Sequence, residues 1–137
     1  MLITERGKGM SKYPNLSNAD STIMEILWRD GGAASSEIQE EVKEVLNWSR
    51  QTVNTYLNRL MEKGLVGTEE INKRLYRYYP VVSRNEYAAD KANGVINKYY
   101  GNLTHMVAGF VENDKITDSD LDELESLIQE LKGKGGK

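Results

Sequence analysis

The chain has 137 residues, 39% hydrophobic and 28% charged, with a formal net charge of −3, which fits one small domain with an oligomerisation extension and excludes a disordered or fibrous protein. Its lack of cysteine excludes disulfides, thiolate metal sites and a Cys nucleophile. No apolar run approaches about 18 residues and no signal-peptide core is present, so neither a membrane span nor export is expected, and the cytoplasm is the default location.

Residues 1–13, with "MLITERGKGMSK" at their head, lack periodicity and read as a flexible N-terminus, with Met10 a second candidate start. In "LSNADSTIMEILWRDGG", Leu16, Ile23, Met24, Ile26, Leu27 and Trp28 carry helical spacing. Ser17 or Asn18 supplies the N-cap there and Gly31-Gly32 the stop. A second helix follows in "ASSEIQEEVKEVLN", where Ser36 and Gln39 have capping-box spacing and Ile38, Val42, Val45 and Leu46 form one stripe. Ser49 caps a third, whose Val53, Tyr56, Leu57, Leu60 and Met61 repeat at i, i+3, i+4, i+7 and i+8 before Gly64 ends it. "LVGTEE" and "RLYRYYP" then read as two strands around Ile71-Asn72-Lys73-Arg74. Three short helices and a hairpin, over residues 14–82, give the element order of a winged helix-turn-helix.

From Ser83 the pattern is helical. Ser83 and Glu86 open one helix at capping-box spacing, "LTHMVAGFVEND" is a short apolar segment, and Leu121, Leu124, Leu127, Ile128 and Leu131 align in the last helix. Residues 83–132 cannot bury such stripes alone, so they predict a helical dimerisation domain. Tyr99, Tyr100, Met106, Val107 and Phe110 are expected in the interface with those leucines, and Tyr87 beside them. Residues 133–137 read as a flexible tail. The predicted fold is mainly α with a small β-hairpin wing, a winged helix-turn-helix followed by C-terminal dimerisation helices.

Charge is unevenly spread along this frame. Residues 1–82 carry 11 basic and 11 acidic side chains, whereas residues 83–137 carry 7 and 10. Between Trp48 and Tyr79 there are six bases and three acids. Phosphate affinity depends on such a patch rather than on the whole-chain balance.

Once the core positions of the third helix are removed, Arg50, Gln51, Thr52, Asn54, Thr55, Asn58 and Arg59 remain, a face without one acid. The second helix instead mixes Glu37, Glu40, Glu41 and Glu44 with Lys43, as a solvated face does. Arg pairs with guanine and Asn or Gln with adenine in the major groove, while Ser49, the threonines and helix N-terminal amides suit phosphates. Lys73, Arg74 and Arg77 on the hairpin are placed to reach a neighbouring phosphate or minor groove. The expected partner is double-stranded operator DNA.

The run "NWSRQTVNTYLNRLMEKGLV", with Trp48-Ser49-x-x-Thr52 leading into Leu57-x-Arg59-Leu60-x-x-Lys63-Gly64, resembles the penicillinase repressor and methicillin-resistance repressor family of winged-helix transcriptional regulators. The likeness extends to "LSNADSTIMEILW" and "NKRLYRYYP", and more loosely to "NKYYGNLTHMVAGFVE" and the last helix. It implies a homodimer on a palindromic operator of TACA/TGTA type, blocking transcription. It also implies, for the β-lactam branch, release by proteolysis in the dimerisation region and hence a membrane sensor-protease as a partner. Those repressors are cut at an Asn-Phe bond before Val-Glu; the matching stretch here places Gly109 before Phe110, Val111 and Glu112. The family's copper-responsive branch uses Cys-x-Cys elements, which a chain without cysteine cannot supply.

Other residues read more simply. Trp28, Trp48 and most of Tyr76, Tyr78 and Tyr79 fit packing roles. His105, the one histidine, has no metal-ligating neighbour in its pattern. Asp114, Asp118, Asp120, Asp122, Glu123 and Glu125 match no calcium-loop spacing and suit a solvated face near a helix N-terminus. No cofactor, metal site or catalytic constellation is expected, and the chain is not expected to be an enzyme. The competing readings are a ligand-responsive winged-helix regulator of another family and a winged-helix protein-interaction module.

Overall fold

A computed structural model describes residues 11–135. The predicted loose ends at 1–10 and 136–137 lie outside the described residues. The chain divides into two compact units, one spanning Ser11–Lys91 and a helical one beginning at Ala92.

In the first unit, α1 spans Asn18–Asp30. Ser17 and Asp20 cap it reciprocally: the Ser17 hydroxyl accepts from the Asp20 amide at 3.0 Å, and the Asp20 carboxylate from the Ser17 amide at 3.2 Å. Gly31, at φ +80°, closes the helix. A two-residue strand, β1 (Ala33–Ala34), precedes α2 (Ser35–Leu46). The predicted Ser36–Gln39 capping box does not form. Glu37 instead accepts from the Ala34 amide at 2.8 Å, and Gln39 donates to the Trp48 carbonyl at 3.2 Å. Ser49 starts α3 (Arg50–Glu62), accepting from the Thr52 amide at 3.1 Å.

The three helices bury Ile23, Met24 and Leu27 against Ile38, Val42, Val53, Leu57 and Leu60, closed below by Leu65, Val66 and Val82. Each such side chain contributes about 1.5–3 kcal/mol of burial. Val45 and Leu46 depart from their predicted stripe, at 80% and 42% exposed. They occupy the last turn of α2, beyond the point where it packs on the core.

The sheet orders β1-β3-β2, with β2 at Val66–Asn72 and β3 at Leu75–Pro80, all antiparallel. The Asn72 side chain accepts from the Arg74 amide at 2.9 Å and shapes the hairpin tip. β1 was not expected, because two alanines carry no strand pattern; its pairing with Arg77 and Tyr78 comes from tertiary context.

Helix α4 spans Arg84–Val95, opened by the reciprocal Ser83–Glu86 bonds at 3.0 Å. Its first turns belong to the winged-helix unit, which therefore extends beyond residue 82 to Lys91. Tyr87 explains the extension. It packs on Tyr13 and Trp28, and its hydroxyl donates to the Pro14 carbonyl and accepts from the Leu16 amide, both at 3.0 Å. Trp28 in turn donates to the Val82 carbonyl at 2.8 Å.

In the second unit, one π-helical turn (Ile96–Tyr100) ends at Gly101, whose amide donates to the Ile96 carbonyl. Asn102 caps α5 (Leu103–Glu112), and α6 runs Asp118–Gly135 behind a Thr117–Asp120 capping box. Residues 133–135 of the predicted tail therefore continue a helix.

Asp20, 1% exposed, carries the one buried charge among the described residues. Lys63, 29% exposed, donates to it at 2.7 Å. Burial alone raises this carboxyl's pKa, but the bonds from Lys63 and Ser17 outweigh it and hold the group below 3.8. A group depressed in the folded state stabilises above its unfolded pKa and loses that stabilisation as pH falls through the folded value. Lys63→Met should cost about 1–3 kcal/mol at pH 7 in denaturant melts. The penalty should shrink as pH drops below 4, whereas a penalty unchanged down to pH 3 would contradict the pairing.

Candidate nucleic-acid interface

Helix α3 turns its apolar side inward and its polar face outward; that face is acid-free from Arg50 to Met61, but Glu62, the last residue of the helix, is exposed one turn beyond Asn58 and interrupts the expected acid-free face there. Arg50, Gln51, Thr55, Asn58 and Arg59 are exposed, and Thr52 and Asn54 half-buried at its margin. The polar groups here are partly pre-positioned. Ser49 and Thr52 hydroxyls lie 3.0 Å apart at the helix start, and Thr55 donates to the Gln51 carbonyl at 2.9 Å. That leaves Arg50, Gln51, Asn54 and Asn58 to offer donors and acceptors outward, next to a helix N-terminus suited to an anion.

Arg59 is held by neighbours that the sequence did not flag. Its guanidinium lies 5.4 Å over the Tyr56 ring, and Tyr56 stacks on Trp48 with centroids 5.2 Å apart. Both aromatics pack on the core as expected, yet they also fix the direction of a basic side chain. The i, i+3 spacing of Tyr56 and Arg59 was the available signal.

On the wing, Lys73 and Arg74 sit exposed at the hairpin tip. Arg77, grouped with them from the sequence, is used differently. It bonds Glu69 at 2.8 Å, its cross-strand partner, and donates to the Gly31 carbonyl at 2.8 Å. Its guanidinium lies so close to Gly32 that a Cβ there would stand 2.4 Å from Nη2. Arg77 ties the wing to the end of α1 rather than pointing with Lys73 and Arg74.

The expected dimerisation residues fall in the helical unit. Met106, Val107, Phe110 and Tyr100 are half-buried, Tyr100 and Phe110 meeting edge to face at 6.4 Å. Tyr99, Leu121, Leu124, Leu127, Ile128 and Leu131 are exposed in the single chain. Gly109 and Phe110 lie inside α5, where the Gly109 carbonyl accepts from the Asn113 amide at 3.1 Å and its side chain at 2.8 Å. His105 is exposed, with Nδ1 3.2 Å from the Tyr100 carbonyl. Among the described residues no group of His, Cys, Asp and Glu is arranged to hold a metal, and no helix is long and apolar enough to cross a membrane.

The sequence model of the penicillinase repressor family matches residues 16–130. The chain belongs to that family. It is a family of transcriptional repressors, not of enzymes. The chain is 29% identical to the penicillinase repressor of Bacillus licheniformis over 126 residues, covering 91% of this chain and 98% of that one. With the methicillin resistance regulatory protein MecI of Staphylococcus aureus it shares 29% identity over 119 residues, or 86% of this chain and 96% of that one. Among solved structures it is similar to the DNA-binding domain of the repressor BlaI, at 28% identity and a TM-score of 0.50. That match covers 57% of this chain and 94% of the domain.

The two kinds of basic residue on the wing should separate experimentally. Lys73→Ala and Arg74→Ala should each lower the dependence of duplex affinity on log salt by about 1. Arg77→Ala should leave that slope alone and destabilise the fold by about 1 kcal/mol in thermal melts. A slope change for Arg77→Ala equal to the others would return it to the contact surface.

Proposed function

We propose that this repressor binds a palindromic operator of TACA/TGTA type as a homodimer, one α3 in each half-site, and represses by occupying the promoter. The observation that carries the reading is the exposed face of α3, which offers Arg50, Gln51, Asn54 and Asn58 and meets a carboxylate, Glu62, only at the helix's last residue. A carboxylate among those side chains would face phosphates; its absence from Arg50 to Met61 suits the N-terminal part of a helix lying in the major groove. Lys73 and Arg74 at the wing tip supply positive charge beside it.

Dimerisation through the helical unit is supported by its uncovered apolar side chains, Leu121, Leu124, Leu127, Ile128 and Leu131 on α6 and Tyr99 before α5. A second copy with the same stripe is the symmetric way to cover them. Relief by cutting between Gly109 and Phe110 belongs to the same reading. The bond lies in helical backbone, so a protease needs α5 to unwind locally, and a glycine there lowers that cost by about 1 kcal/mol relative to alanine. A fragment ending at Gly109 in mass spectra of induced cells is the expected signature; intact chain throughout derepression would contradict it.

Arg50→Ala and Asn54→Ala should each reduce the preference for operator over scrambled duplex by about 1–3 kcal/mol where the base contact is bidentate. Their helical content and melting temperature should stay near those of the unmutated chain. Equal affinity of the unmutated protein for both duplexes would remove the proposal.

A further inference from the structure

The end of α2 leaves two apolar side chains uncovered, Val45 and Leu46. Val45 and Leu46 line a groove of about 410 Å³ together with Ile26 and Val42, floored between α1 and α2. Glu25, Arg29, Glu41 and Arg84 form its walls. These four are already paired: Arg29 bonds Glu41 and Asp30, at 2.7 and 2.8 Å, and Arg84 bonds Glu25. A small polar ligand would find no unpaired directional partner among these wall charges, so what enters must be mainly apolar.

The field around the groove selects the occupant further. Glu37, Glu41 and Glu44 run at i, i+4 and i+7 beside Val45, and Glu25 and Asp30 stand on α1. The lining itself is balanced, Glu25 and Glu41 against Arg29 and Arg84, but the exposed acids of the two helices, Glu25, Asp30, Glu37, Glu40, Glu41 and Glu44, outnumber Arg29, Lys43 and Arg84 and leave the surroundings negative. Phosphates would be repelled, which keeps DNA off this face. The chain's own uncovered stripe on α6 is flanked by Asp118, Asp120, Asp122, Glu123 and Glu125, so a second copy docking by that helix would meet like charge.

We propose that the α1–α2 groove is a docking site for a basic amphipathic helix of another protein. Apolar side chains of the partner at i, i+4 and i+7 fill the space beside Val45 and Leu46, and its Lys and Arg face the glutamate row. Apolar contact supplies the affinity, and the charges set orientation and partner choice. The inference is independent of the operator reading and is tested without DNA.

The probe is a labelled peptide of about 15 residues with leucines on one helical face and lysines beside them, compared with a twin bearing glutamates for lysines. Full-length protein is titrated into each by fluorescence anisotropy. The basic peptide should bind and the acidic twin should not. Val45→Asp decides between groove docking and loose charge attraction, since it adds negative charge while removing the apolar contact. It should weaken the basic peptide about tenfold or more with the thermal melt unchanged, Val45 being 80% exposed. Glu44→Lys should weaken it several-fold and flatten its salt dependence. No binding, equal binding of both peptides, or Val45→Asp binding as well as the parent would each overturn the proposal. A drop in the protein's own sedimenting mass on Val45→Asp would also overturn it, by giving the groove to a second copy.

Discussion

A buried carboxylate, Asp20, holds the beginning of the winged-helix unit to the end of α3. Asp20 caps α1 through Ser17, and the same oxygen takes the Lys63 ammonium, from the residue that closes α3. Its other oxygen has no hydrogen-bond partner among the described residues, so the charge depends on Lys63 for compensation. Lys63 also donates to the Asn15 carbonyl at 3.2 Å. From there the network reaches α4: Lys91 donates to the Asn15 side chain and the Tyr13 carbonyl, and Asp90 accepts from the amides of Lys12 and Tyr13 at 2.6 and 3.0 Å. The start of α1, the end of α3 and the first turns of α4 are thereby fixed in one polar web laid over an aliphatic core.

That web sets what the surface can do. With α3 clamped at its C-terminal end and packed by Val53, Leu57 and Leu60, its outward face has little freedom to turn. The side chains that point outward are the ones chemistry suits to base edges and phosphates, and acids are concentrated on α2 and α6 instead. Segregation of charge, rather than net charge, is what reconciles an acidic protein with an anionic partner: screening confines each patch to its own neighbourhood, about 8–10 Å at ordinary ionic strength. The same segregation leaves the α1–α2 side available to a partner of opposite character.

Much of this was legible in the sequence, and the failures have local causes. Helical spacing located α1 and α3, because each has a true cap and a clear stop, at Ser17 and Gly31 for one and Ser49 and Gly64 for the other. The polar face of α3 is legible because removing core positions leaves only polar and basic residues from Arg50 to Arg59, with Glu62 at the helix end the one acid the reading passed over. Periodicity failed for Val45, since a stripe continues in sequence after the helix it packs against has ended. Capping spacing failed for Ser36, because the helix starts two residues earlier, where Glu37 reaches back to the Ala34 amide. Sequence pattern groups Arg77 with Lys73 and Arg74 and does not show its partners, Glu69 and the Gly31 carbonyl, which are set by strand register and by a close approach at Gly32. The packing of Tyr87 is not legible because aromatic residues look alike on any helix; the bonds that place it come from Pro14 and Leu16, more than 70 residues away along the chain.

The measurement that bears most directly on the reading of α3 is an anisotropy titration of full-length protein against a TACA–TGTA palindrome and its scrambled twin at two salt concentrations. Tight, salt-dependent binding to the palindrome at two chains per duplex, with the scrambled duplex at least about a thousandfold weaker, is the expected result. Weak and equal binding to both would mean that the polar face of α3 does not read this sequence.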